Sequence, residues 1–193
     1  MTFADRGDSM ECDVMTVAGL WNSGPQHWQT LWERKHAEWQ RVPHRDWNNP
    51  VCHEWVAELD AAIAASDQGP PILVAHSLGC VTVAQWAKEG SQLHIKGAFL
   101  VAPSDVEGPD YPAEAVGFAP MPMQKLPFPS IVVASSDDPY VSLERARAFA
   151  EAWGSKFVEI GAAGHINAAS GYGPWPEGEE LLLDFCAELV RCK

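Results

Sequence analysis

Residues 71–80 read Pro-Ile-Leu-Val-Ala-His-Ser-Leu-Gly-Cys, an apolar run that stops at a serine flanked by small residues. A helix-like segment, Val81 to Ala87, follows at once. A strand that turns sharply into a helix at a serine is the layout of a nucleophile elbow. The turn is tight, so the residues two before and two after the serine must be small. Here they are Ala75 and Gly79. The usual pattern has glycine at both positions; alanine at 75 adds only a methyl group. The segment therefore requires a strand, a helix behind it and a sheet that holds both, with Ser77 at the strand's carboxyl end.

The rest of the chain supplies such a sheet. Strand candidates are Asp13 to Ala18, Ile72 to Ala75, Ile95 to Ala102, Ser130 to Ser135 and Lys156 to Ile160. Helices are expected from Pro25 to Trp39, from Pro50 to Ala65, over Leu143 to Trp153 and from Glu177 to Arg191. Trp28, Trp32 and Trp39 can share one face of the first helix, packing aromatic bulk onto the sheet or forming an aromatic shelf for a substrate. Val51, Trp55, Leu59 and Ile63 give the second helix one buried stripe. Near-continuous apolar strands alternating with helices mean a mostly parallel sheet covered on both faces, a three-layer α/β architecture. Ligands in such sheets bind at the carboxyl ends of the strands, where Ser77 lies.

With 193 residues the chain suits one domain, expected over 13–193 behind a loose arm at 1–12. The formal net charge of −13 argues against a nucleic-acid or anionic-membrane surface, which needs clustered Lys and Arg. No stretch of about 18 apolar residues occurs, so no membrane span is expected. The first residues are polar and do not read as a secretory signal. The five cysteines, Cys12, Cys52, Cys80, Cys186 and Cys192, form no Cys-x-x-Cys pair, so reduced thiols in a cytoplasm are expected. No His-Glu-x-x-His pattern and no zinc spacing of Cys and His occurs, and neither metal nor cofactor is expected.

A serine alone is a weak nucleophile; it needs a base, and the base needs an orienting acid. Both lie downstream of late strands. Ile131 to Ser135 runs into Ser136-Asp137-Asp138-Pro139, where two adjacent carboxylates compete. Asp138 is favoured as the acid, while Asp137 caps the turn or faces water. Phe157 to Ile160 runs into Gly161-Ala162-Ala163-Gly164-His165, and the small residues let His165 swing towards Ser77. His27, His36, His44, His53 and His94 are less well placed, and His76 reads as packing or loop support. A tetrahedral intermediate also needs an oxyanion hole. One donor is expected from the amide of Leu78. The other is expected from Leu20, with Trp21 as the fallback, in the loop after the first strand.

The segments Gly19-Leu20-Trp21-Asn22-Ser23-Gly24-Pro25-Gln26-His27-Trp28, His76-Ser77-Leu78-Gly79, Ser136-Asp137-Asp138-Pro139 and Gly164-His165-Ile166-Asn167 extend over nearly the whole chain. In this combination the sequence resembles the small α/β-hydrolases typified by retinoblastoma-binding protein nine and its bacterial relatives. The resemblance implies a compact α/β-hydrolase fold without a cap domain. It implies serine-hydrolase chemistry, with the nucleophile on Ser77, the acid on Asp138 and the base on His165. The expected reaction is cleavage of a small acyl ester through an acyl-enzyme. An acyltransferase or thioesterase with the same triad, or an interaction protein on the same fold, are the alternatives. Residues 103–129 are rich in Pro, Gly and Met and are expected to loop over the sheet's carboxyl edge. Tyr111, Phe118, Met121, Met123 and Phe128 either wall an apolar acyl site there or simply cover the edge.

Overall fold

The computed structural model describes residues 12–191; most of the expected arm at 1–12 lies outside them. Six strands form one sheet: β1 Val14–Val17, β2 Gln40–Arg41, β3 Ile72–His76, β4 Gly97–Val101, β5 Ser130–Ala134 and β6 Lys156–Glu159. Their order is β2-β1-β3-β4-β5-β6, and every pairing is parallel. Helices α1 Trp28–Lys35, α2 Cys52–Ala64, α3 Leu78–Glu89, α4 Leu143–Trp153 and α5 Pro176–Arg191 connect and cover them.

The pleat sorts the core into two layers, because alternate strand residues face opposite sides. Leu73, Ala75, Leu100, Val132 and Ala134 pack with α2, α3 and α4. Ile72, Val74, Phe99, Val101, Ile131 and Val133 pack on the other side with α1 and α5. β3, β4 and β5 are buried along their whole length, which is why they read as unbroken apolar runs. The expected stripe of α2 is buried at Trp55, Leu59 and Ile63, joined by Cys52 and Val56. Its first member, Val51, is instead the residue that precedes the helix.

The first helix is shorter than its aromatic spacing suggests. His27 caps it, its Nδ1 accepting from the Gln29 amide at 3.2 Å. The chain leaves the helix at His36, and Gln40–Arg41 pairs with Met15 and Thr16 as an edge strand. That strand has no apolar alternation, so nothing in its two polar residues announces it. Arg41 is held there by both carboxylate oxygens of Glu33, at 2.9 and 2.8 Å. Trp39 lies beyond the helix yet still meets Trp32 edge-on at 6.4 Å. Trp28, Trp32 and Trp39 are all buried on the sheet, which is packing and not a shelf.

Residues 103–129 contain no helix and, apart from an isolated bridge of Val116 to Val51, no strand, as expected; β4 ends at Val101, one residue short of the expected Ala102. Among the described residues no separate domain is inserted between strands, and no helix is long and apolar enough to cross a membrane.

Candidate active site

Ser77 sits between β3 and α3 with φ 57° and ψ −124°, a backbone region that few non-glycine residues enter. Holding a residue there costs on the order of 1–3 kcal/mol, so the surroundings must impose it. They do so by close packing. A β-carbon on Gly79 would lie 2.3 Å from the Val17 carbonyl oxygen, so only glycine lets α3 approach β1. The Ser77 amide donates to the Val101 carbonyl at 3.0 Å, extending the β3–β4 pairing up to the turn.

The two adjacent carboxylates separate cleanly. The Asp138 side chain is fully covered and accepts from His165 Nδ1 through both oxygens, at 3.0 and 2.9 Å. It also accepts the Tyr140 amide at 2.9 Å. Asp137 is exposed and serves the loop that carries the histidine. It accepts from Ser135 Oγ and from the Gly164 amide, both at 2.7 Å. Those two bonds, Ser135 first, hold its carboxyl below the usual carboxylate range.

His165 rides on a loop fixed from several sides. The Ala163 amide donates to Ser135 Oγ at 2.9 Å and the His165 amide to Ser170 Oγ at 3.1 Å. Trp28 Nε1 donates to the Ile166 carbonyl at 2.8 Å. Thus held, His165 Nε2 stands 2.8 Å from Ser77 Oγ. The three side chains expected from the sequence thus stand in one hydrogen-bonded series. With Nδ1 donating to Asp138, Nε2 has a lone pair free to take the serine proton.

Both expected oxyanion donors line the same cavity as Ser77. Leu78 is the first residue of α3, and the helix dipole there favours negative charge. Gly19 packs against Ser77, and a β-carbon on it would lie 3.2 Å from the Leu78 nitrogen. Leu20 follows directly. Trp21 drops out as a fallback, because its amide donates to the Trp47 carbonyl at 2.8 Å.

The cavity has a volume of about 470 Å³. Leu20, Trp21, Tyr111, Pro112, Tyr140 and Val141 supply much of its apolar wall. Of the five loop residues expected there, only Tyr111 lines it. Phe118 is buried against Trp55, Met121 is buried in the core, Met123 is exposed and Phe128 packs by Trp86. The loop turns its later half inward because the core on that face needs filling.

Three neighbours of the site were not singled out as functional from the sequence. Ser104 Oγ lies 2.8 Å from Ser77 Oγ. His27 lines the cavity, and burial above all, then the charges of Arg41 and His165, pushes it down to about 3. His76 donates from Nε2 to the His165 carbonyl at 2.9 Å, the loop support expected of it. Ser104 was findable: like Asp138, it follows the end of a central strand. Among the described residues no group of three or more His, Cys, Asp or Glu is arranged to hold a metal ion.

Residues 14–184 match the family model described as serine hydrolase. No curated protein matches the sequence. Among solved structures, a protein described as a YdeN-like hydrolase from Pectobacterium atrosepticum superposes with a TM-score of 0.82 at 34% identity, over 94% of each chain. The ydeN gene product of B. subtilis gives 0.73 at 18% identity, over 91% of this chain and 99% of that one. Esterase 2 of Thermogutta terrifontis gives 0.68 at 18% identity, over 92% and 83%. The last two show likeness of fold alone.

Proposed function

The chain belongs to the serine hydrolase family and has the α/β-hydrolase fold, and on that footing we propose that it cleaves small acyl esters through an acyl-enzyme on Ser77. His165 takes the Ser77 proton as Oγ attacks the acyl carbon. Asp138 fixes the His165 tautomer and stabilises the imidazolium. The amides of Leu78 and Leu20 receive the oxyanion, each worth about two to three orders of magnitude in rate. His165 then returns its proton to the leaving alcohol, and water releases the acid.

The observation that supports this reading is the unbroken series Asp138–His165–Ser77 opening onto a half-apolar cavity. The cavity's size suits a short acyl group. Its charged lining residues are Asp105, Asp110 and Arg145, and with Arg145 paired to Asp105 at 2.7 Å, Asp110 disfavours anionic substrates. The same reading places the enzyme in a cytoplasm, where the buried free thiols of Cys12, Cys52, Cys80 and Cys186 stay reduced.

The test is covalent labelling with a fluorophosphonate probe on wild type and Ser77→Ala, followed by peptide mapping. Labelling confined to Ser77 and lost in the variant supports the reading. A folded wild type that takes no label overturns it and favours an interaction protein on the same fold.

A further inference from the structure

Ser77 Oγ has two hydrogen-bond partners, and proton bookkeeping decides the direction of both. His165 Nδ1 faces both oxygens of Asp138 and donates to them, so Nε2 is the acceptor of the Ser77 hydroxyl at 2.8 Å. A serine hydroxyl has one proton. The second bond, 2.8 Å to Ser104, must therefore run from the Ser104 hydroxyl to Ser77 Oγ. Ser104 is aimed there by a bend in the main chain. Ala102, just past β4, has φ 50°, while its amide stays bonded to the Val133 carbonyl at 2.8 Å. Ala102 is thus, like Ser77, a non-glycine residue held at positive φ.

Ser104 also stands on a particular side. The candidate oxyanion amides come from the β1 side of β3, through Gly19 and Leu20. Ser104 follows β4, the opposite neighbour of β3. It therefore flanks the attacking oxygen away from the oxyanion donors, beside His165, and it lines the cavity.

On the acyl-enzyme reading given above, we propose that Ser104 holds the water that releases the acyl group, and so sets hydrolysis over transfer to other alcohols. Acylation turns Ser77 Oγ into an ester oxygen, a poor acceptor, which frees the Ser104 hydroxyl. The incoming water has two protons. One goes to His165 Nε2 as the water oxygen bonds to the acyl carbon. The other stays on the water oxygen and needs a hydrogen-bond acceptor, which Ser104 Oγ supplies. The tetrahedral intermediate then collapses: the bond from carbon to Ser77 Oγ breaks, the Nε2 proton passes to Oγ, and the acid leaves. An alcohol brings only one proton and has no use for Ser104. The serine thus favours water over an alcohol acceptor.

The experiment measures p-nitrophenyl acetate turnover by wild type and by Ser104→Ala, Ser104→Thr and Ser104→Val, with and without methanol. The burst reports acylation, the steady state reports deacylation, and the acetate-to-methyl acetate ratio reports partition. Ser104→Ala and Ser104→Val should keep a stoichiometric burst, lose about three- to tenfold in steady-state hydrolysis, and shift partition towards methyl acetate by a similar factor. Ser104→Thr keeps the hydroxyl in the volume of valine and should behave like wild type. Equal losses in burst and steady state with unchanged partition would overturn the proposal, leaving Ser104 as a support for the Ser77 rotamer. So would a threonine variant indistinguishable from valine. A wild type with no burst and no fluorophosphonate label would instead bring down the acyl-enzyme reading itself, and this inference with it.

Discussion

His76 donates its Nε2 proton to the main-chain carbonyl of His165, 2.9 Å away. The residue next to Ser77 thereby fastens the loop that carries His165. His76→Phe keeps a ring in the core but removes this donor. It should lower kcat by about tenfold or more, because the His165 loop loses one of its anchors. His76→Gln can still donate and should recover part of the loss. Steady-state kinetics on both variants, with thermal melts to confirm folding, check this.

Buried histidines held below their ordinary value, His27 and His76 among them, make the fold sensitive to acid. In the native state His27 titrates at about 3, and burial holds His76 well below its ordinary value. In the unfolded chain both take a proton near pH 6.5. Between those limits the unfolded state binds protons that the native state refuses. Stability should therefore be level above about pH 6.5 and fall steadily as the pH drops towards 3. His27→Asn preserves a side chain suited to capping α1 and should flatten the slope. Melting temperatures across that range are the measurement.

Asp138 and Asp137 are adjacent, yet their removal should read out differently. Asp138→Asn should cost on the order of 10⁴-fold in kcat with little change in KM, since it disturbs the tautomer of His165. Asp137→Asn weakens the bonds from Ser135 and Gly164 and should cost about tenfold. The lowered native pKa of Asp137 means that its stabilising contribution is present above the ordinary carboxylate range and is lost as pH falls through the native value. Wild type and Asp137→Asn should thus converge in stability on strong acidification.

Gly79 and Gly19 separate folding from chemistry. A methyl on Gly79 would strike the backbone oxygens of Val17 and Ala18, at 2.3 and 2.9 Å. Gly79→Ala should destabilise by about 1–3 kcal/mol as α3 is pushed off β1. A methyl on Gly19 would meet Ser77 Cβ at 2.8 Å, beside the Leu78 nitrogen. Gly19→Ala should cost about 10²- to 10³-fold in kcat by displacing the oxyanion loop. Denaturant titration and kcat on each variant distinguish the two.

Most of the fold was legible because its signals are local. β3, β4 and β5 are buried on both faces, and α4 runs over Leu143–Trp153 as its pattern predicts. That Ser77, Asp138 and His165 meet was legible because each follows a strand end, where the parallel sheet delivers side chains to one edge. Gln40–Arg41 was not, since its pairing depends on Met15 and Thr16 and on Glu33, not on its own residues. The path of residues 103–129 was hidden for the same reason. Whether Phe118 faces the cavity or the core is decided by Trp55, far away in sequence.

That loop is divided in its duties. Gln85 Nε2 clasps the carbonyls of Phe118 and Pro120, at 2.6 and 3.2 Å, and Trp153 Nε1 bonds that of Pro122 at 2.7 Å. The later half is thus tethered to α3 and α4, while Gly108, Pro109, Asp110, Tyr111 and Pro112 border the cavity. Substrate preference and foldability are consequently written in separate stretches of one connection. Randomising 108–112 should redraw what the cleft accepts while leaving the tethers, and the chain's ability to reach its native state, intact.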